Sequence, residues 1–307
     1  MTIYLATKTI NKIDEMVQAD QGAKFRHFLK LVLPHIGDAY RPESEPFRSH
    51  MGASGIAKEC GRAIWYGFRW YTPSNFTGRM QRLFNRGHLE EGRFIALLLM
   101  IGCEVFQQDA DGRQFTISGS HGHFGGSGDG VALHIPDLPP NTPALLEFKT
   151  HSSSSFKKLQ AEGMQSAKLE HYIQMQSYMR KMQLPYGLYM AVNKDTDELY
   201  AEIVLPDPDI ADTFAERADR IIWMRKPPAK IATSPGAWKC KFCEHKPVCH
   251  LDEVPHKNCR TCGHSIPIQD KQWACELHNI VLSKEAQLQG CASWDRIKET
   301  GYEAPSA

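Results

Sequence analysis

Gly128-Asp129-Gly130-Val131-Ala132-Leu133-His134-Ile135 and, beyond a Pro-rich turn at 136–143, Leu145-Leu146-Glu147-Phe148-Lys149-Thr150 read as the two strands of a hairpin. Successive side chains of a strand leave opposite faces, so Glu147 and Lys149 share one face while Leu146 and Phe148 point into a core. The hairpin brings Asp129 alongside Glu147. Two carboxylates and an ammonium on one strand pair can hold a divalent cation and steady an attacking water or a phosphate oxygen. The plainer reading of the same residues is the solvated face of an edge strand. Gly125-Gly126-Ser127-Gly128 favours the chemical reading, because glycines let the backbone approach a ligand closely.

Outward from this hairpin the chain alternates helices and strands, which points to an α/β fold. Strands are expected at 103–108, 113–118, 128–135 and 143–150. Residues 1–50 are expected to be helical in part, with Phe25, Phe28, Leu29, Val32 and Leu33 at helical spacing. Cys60 to Tyr71 reads as an amphipathic helix. Phe84 to Ile101 reads as another, with Leu89, Phe94, Leu97, Leu98 and Ile101 on its buried side and Gly102 at its end. A long helix is expected over 156–183, stopped by Pro185. Tyr186–Val192 and Leu199–Val204 then form a hairpin, followed by a helix at 207–224. After Pro227-Pro228 the composition becomes short, polar and Cys-rich, so the boundary of the larger domain is placed near residue 235.

The 307 residues are 42% hydrophobic and 23% charged, with a formal net charge of +1. Such a composition suits a soluble globular protein and gives no global field for nucleic acid. Two local runs do. Arg62, Arg69, Arg79, Arg82, Arg86 and Arg93 are interleaved with Trp65, Tyr66, Trp70 and Tyr71. Arg225, Lys226, Lys230, Lys239, Lys241 and Lys246 surround Trp238. Cations with rings fit phosphates and bases, although solvated charged faces look alike in sequence. No charged segment followed by an apolar one opens the chain, and Phe94–Gly102 is too short to span a bilayer. The expectation is a cytoplasmic protein without membrane contact.

Nine cysteines in a reducing compartment argue for metal rather than disulfides. Cys240-x2-Cys243-x5-Cys249 lacks a fourth ligand, for which Cys60 is the candidate. Cys259-x2-Cys262-x12-Cys275-x15-Cys291 has the spacing of a zinc ribbon or knuckle, with His264 and His278 able to replace one thiolate. Free buried thiols are the alternative there. Cys103 reads as a core residue. His121 and His123 lie close enough in sequence to approach the hairpin site and equally suit a strand end.

The order helix–strand–Asp–strand–Glu-x-Lys–helix resembles the PD-(D/E)XK nuclease superfamily, in its RecB-like branch, over roughly residues 56–250. Gly128 stands where the signature has Pro. The resemblance implies a restriction-endonuclease-like mixed central sheet flanked by helices, with a small Cys-rich metal-binding appendage. It implies Mg2+ or Mn2+ held by Glu91, four residues after Gly87, together with Asp129 and Glu147; His88 is the competing ligand. Lys149 would orient water or neutralise phosphate. Gln174 and Tyr178 match a Gln-x-x-x-Tyr motif on one helix face and would position substrate or the lysine. Locally satisfied polar side chains are the plainer account of that pair, and a surface carboxylate that of Glu91, as of Glu90.

Cys60 with Cys240, Cys243 and Cys249 resembles AddB-type and CRISPR-associated RecB-like nucleases, which implies a [4Fe–4S] cluster; zinc accepts the same thiolates. The implied organisation is a nuclease domain at 1–235 and a cluster segment at 236–253. A zinc-ribbon-like appendage follows at 254–307, carrying Zn2+ on Cys259, Cys262, Cys275 and Cys291 for DNA or partner binding. The implied activity is metal-dependent hydrolysis of DNA, as an exonuclease or end-processing enzyme on single strands or duplex ends. Recombination or replication proteins are the implied partners, in a host cytoplasm for a phage-encoded enzyme. The competing readings are a non-catalytic module that holds DNA ends or a partner in recombination or CRISPR adaptation, and an RNA-directed nuclease.

Overall fold

The computed structural model describes residues 2–37 and 47–298. Part of the expected N-terminal helical region, 38–46, and the last part of the appendage, 299–307, lie outside the described residues. In chain order come α1 (Thr7–Asp20), α2 (Ala23–Val32), β1 (Met51–Gly52), α3 (Gly61–Phe68), α4 (Gly78–Met100), β2 (Glu104–Phe106) and β3 (Thr116–Gly119). Next are β4 (Phe124–Ser127), β5 (Gly130–Leu133), β6 (Ala144–His151), α5 (Ser153–Ala167), α6 (Leu169–Met182), β7 (Tyr186–Asn193) and β8 (Leu199–Val204). The chain continues through α7 (Pro208–Trp223), α8 (Lys246–His250), β9 (Ser265–Pro267), β10 (Trp273–Cys275), β11 (Ile280–Leu282) and α9 (Lys284–Gln289).

Two compact units result, and they do not follow a cut near residue 235. One gathers 1–41, 76–117 and 126–213; the other gathers 42–75, 118–125 and 214–307.

The first unit is built on a five-stranded mixed sheet of order β2-β5-β6-β7-β8, in which only β6 and β7 run parallel. Even-numbered residues of β6 face α4: the Phe94 and Phe148 rings stack 5.0 Å apart, beside Leu98 and Leu146. Odd-numbered residues face α5 and α6, where the added Cβ of a residue at Gly187 would strike Met175 at 2.6 Å. The sheet is therefore covered by helices on both sides, as a parallel pair requires. β5 can pass close to β2 because residue 130 is glycine: with φ +151, a Cβ there would sit 2.8 Å from the Phe106 carbonyl oxygen.

Two expected helices differ from the structure. α4 begins at Gly78 rather than Phe84, because the Thr77 side chain accepts the Met80 N–H and caps it. Leu89, expected on its buried side, is 47% exposed, whereas Phe94, Leu98 and Ile101 are buried. The single helix expected over 156–183 is two. Gly163 adopts φ +71, ψ 167, which frees the Met164 N–H to bond Glu202, and Lys168 separates α5 from α6.

In the second unit the 62–71 part of the first arginine–aromatic run is core rather than surface, whereas Arg79, Arg82, Arg86 and Arg93 of the same run belong to the first unit and are exposed. Arg62 and Arg69 are buried, as are Trp65, Tyr66, Trp70 and Tyr71. Arg62 donates to the Pro228 carbonyl at 2.7 Å and to the Tyr66 hydroxyl at 3.0 Å. Arg69 lies over the Trp65 ring, and Arg260 over Trp70. Cation–π contact and carbonyl acceptors let guanidinium groups enter a core. Among the described residues no helix is long and apolar enough to cross a membrane.

Candidate active site

The expected hairpin pairs in the register that chemistry needs. Gly130 lies opposite Leu146 across the antiparallel β5–β6 ladder, which sets the preceding Asp129 beside Glu147. Asp129 Oδ2 accepts the Phe148 N–H at 2.7 Å, which fixes the carboxylate and leaves Oδ1 free of that bond. Glu147 is fully buried; its Oε1 is bonded by the Lys149 ammonium and its Oε2 receives the Gln174 amide at 3.3 Å. Lys149 also donates to the Phe148 carbonyl at 3.1 Å. Glu91 reaches the same place from α4, and Asp129, Lys149 and Glu147 all act on its charge.

Crowded carboxylates resist ionisation. Burial pushes Glu91 up to about 8, with the Asp129 and Glu147 charges adding and Lys149 opposing. Burial likewise raises Glu147, to about 7, against the pull of Lys149. Lys149 is itself held well above the usual ammonium range: Glu147 and Asp129 outweigh its desolvation. It therefore stays a cation at neutral pH, an electrostatic group rather than a base. Tyr178 is buried on α6, hydrogen-bonded to Gln174, and its phenol is raised by burial and by the Glu147 charge.

Asp129, Glu147, Lys149, Glu91, Gln174 and Tyr178 are thus brought together. His88 sits at the margin: its ring is exposed and its Nδ1 is 3.6 Å from Glu91. Gln176 turns away to the Leu205 carbonyl. Glu90, expected at the surface, is buried, and Glu91 is the more open of the two. His123, in the second unit, is buried, with Nε2 2.7 Å from the Ile268 carbonyl oxygen. Cys103 is a core residue, as expected.

A group missing from the sequence reading lies beside Lys149. The Tyr189 hydroxyl is 2.8 Å from His151 Nε2 and 3.0 Å from His171 Nδ1. Burial and the neighbouring Lys149 and Lys168 charges hold His151 down to about 4 and His171 to about 3, so both rings are neutral. Strand alternation carries the signal: residue 151 continues the face of 147 and 149.

Oxygen donors with no softer atom among them suit hard cations such as Mg2+ or Mn2+. Elsewhere, in the second unit, the Cys243 N–H bonds the Cys240 carbonyl at 3.2 Å, and burial raises the Cys243 thiol, with the Cys60 and Cys240 charges adding to it. Among the described residues, no group of three or more His, Cys, Asp or Glu side chains is placed to hold a metal ion.

No protein-family model and no curated protein matches this chain. Among solved structures it is similar to an alkaline exonuclease (LHK-Exo) from Laribacter hongkongensis. The TM-score is 0.41 at 16% identity over 56% of this chain and 86% of that one. LHK-Exo in complex with dAMP gives 0.40 at 15% identity, with the same coverage. The protein SSO0001 gives 0.36 at 15% identity over 75% and 95% of the two chains. Likeness this loose carries no argument, and function rests on the residues of the site.

Proposed function

We propose that this chain is a DNA nuclease of the PD-(D/E)XK kind, hydrolysing phosphodiesters with Mg2+ or Mn2+ as an exonuclease or end-processing enzyme. The observation that carries the reading is the pairing of Asp129 with Glu147 across the β5–β6 ladder, with the Lys149 ammonium bonded to Glu147 and the charges of all three acting on Glu91. Three mutually repelling carboxylates are costly without a cation between them. Glu91, Asp129 and Glu147 would hold the ion, which when bound supplies positive charge at the scissile phosphate and acidifies water. Lys149 offsets the phosphate charge that grows towards the transition state. Gln174 fixes Glu147, the Phe148 N–H fixes Asp129, and Tyr178 steadies Gln174.

Cys60, Cys240, Cys243 and Cys249 fit a [4Fe–4S] cluster in this reading. Cys60 precedes α3; its neighbour Glu59 pairs with Lys239, next to Cys240, and Arg217 donates to the Lys58 carbonyl at 2.6 Å. Its role is to tie distant parts of the second unit together.

Asp129→Ala tests the activity. Hydrolysis of a labelled DNA duplex with Mg2+ or Mn2+ should vanish while DNA binding, measured by anisotropy, persists. Surviving hydrolysis would mean that the site is elsewhere.

A further inference from the structure

The last four cysteines stand apart from the proposed nuclease chemistry and occupy a place of their own in the second unit. Cys259, Cys262, Cys275 and Cys291 line a single pocket with His264 and His278 around it. Each arrives on a different device. Cys259 and Cys262 flank a tight turn in which Asn258 and Thr261 bond each other reciprocally. Cys275 ends β10, the central strand of the β9–β10–β11 sheet, and Cys291 follows α9. Backbone N–H groups point at two of the sulfurs: Asp295 N–H at Cys262 Sγ, 3.5 Å, and Gly290 N–H at Cys259.

The segment also lacks a core of its own size. Its strands are three residues long, and Leu277, Ile280 and Val281 are half exposed. A piece this small needs a staple to keep one shape.

We propose that Cys259, Cys262, Cys275 and Cys291 bind one Zn2+ ion, and that the site is structural: it anchors Arg260 in the core of the second unit. On binding, the four thiols release their protons to solvent and four Zn–S bonds form. Arg260 lies between the first two ligands, inside the Cys259–Cys262 turn. Its guanidinium stacks on Trp70 at 3.8 Å and Trp273 at 4.6 Å, and it donates to Gln287 and to the Ser49 and Phe68 carbonyls. Arg69 in turn donates to the Arg260 and Ser265 carbonyls. Fixing the turn therefore fixes a two-arginine core assembled from residues far apart in sequence.

A nucleic-acid finger would look different. Apart from buried Arg260, residues 259–298 carry Lys271, Lys284, Arg296 and Lys298 against Asp270, Glu276, Glu285 and Asp295, so the stretch has no net positive charge to offer phosphates.

The test is elemental analysis of the full chain purified without chelator, with iron and zinc measured together. One zinc per chain is expected. Cys275→Ser and Cys291→Ser should each lose that zinc without loss of iron, and His278→Ala should retain it. If either serine variant is insoluble, zinc released from the wild-type protein by a mercurial, read with a chromogenic chelator, supplies the stoichiometry. The structural role is read by limited proteolysis: zinc loss should expose cleavage near Trp70 as well as within the ribbon. A zinc-free wild-type protein, zinc retained by both serine variants, or zinc lost on His278→Ala would overturn the ligand set. Cleavage confined to the ribbon would overturn the anchoring role, and neither outcome bears on the nuclease reading.

Discussion

Glu147 is a fully buried carboxylate, and as a ligand of the proposed cation it costs the fold stability when no ion offsets its charge. With no ion bound, burial holds its folded-state pKa near 7, and Glu91 stands near 8, against 4.5 for either group in the open chain. The folded state then binds protons more tightly than the unfolded state. These groups stabilise the fold most below pH 4.5, and the contribution is lost as pH rises through 7 to 8. Thermal denaturation in EDTA should therefore show a melting temperature falling between pH 5 and pH 8.5, and Mg2+ should restore it most at the alkaline end. Glu147→Gln should flatten the fall and weaken the rescue. An equally steep fall in that variant would assign the pH dependence to other groups.

At the scale of the element, strand β6 was the most legible part of the chain. Its alternation requires Glu147 and Lys149 on one face and Phe148 on the other, and a short hairpin leaves Asp129 one place to go. Helices were less legible, because their burial is decided by partners that a local pattern does not name. Leu89 stands nine residues from Leu98, about half a turn round the helix axis, so it falls on the face opposite Leu98 and is exposed. Leu98→Ala should cost about 2–5 kcal/mol in chemical denaturation, the penalty for a cavity in a packed core. Leu89→Ala should change stability by no more than about 0.5 kcal/mol; comparable losses at the two positions would contradict the face assigned to α4. The break in α5 was hidden for a related reason. Only the contact with Ile3 and the bond from Met164 to Glu202 show why residue 163 needs φ +71. Gly163→Ala should lose about 1–3 kcal/mol through backbone strain, together with the 2.8 Å clash at Ile3.

Over the whole molecule, linear sequence conceals which segments fold together. The change of composition after Pro227-Pro228 suggests a cut near residue 235, but the second unit draws on both sides of that point. In sequence the Arg62–Tyr71 stretch resembles a surface because buried guanidinium groups are rare. What makes burial possible lies almost two hundred residues further on. Arg69 bonds the Arg260 and Ser265 carbonyls, the Asn258 amide bonds the Trp70 carbonyl at 3.1 Å, and the His256 N–H bonds the Tyr71 carbonyl at 3.0 Å. A chain ending at residue 235 loses all of these partners at once. It leaves the Arg69 guanidinium without acceptors and the faces of Trp65 and Trp70 open to water, and stranding such a buried charge costs several kcal/mol. Such a chain should bind a hydrophobic dye, show red-shifted tryptophan emission and be cleaved between residues 47 and 75 by low trypsin, whereas the full chain resists. Full-chain resistance in the shortened protein would mean that 47–75 folds without the cysteine-rich region, and that the cut near 235 is a true boundary.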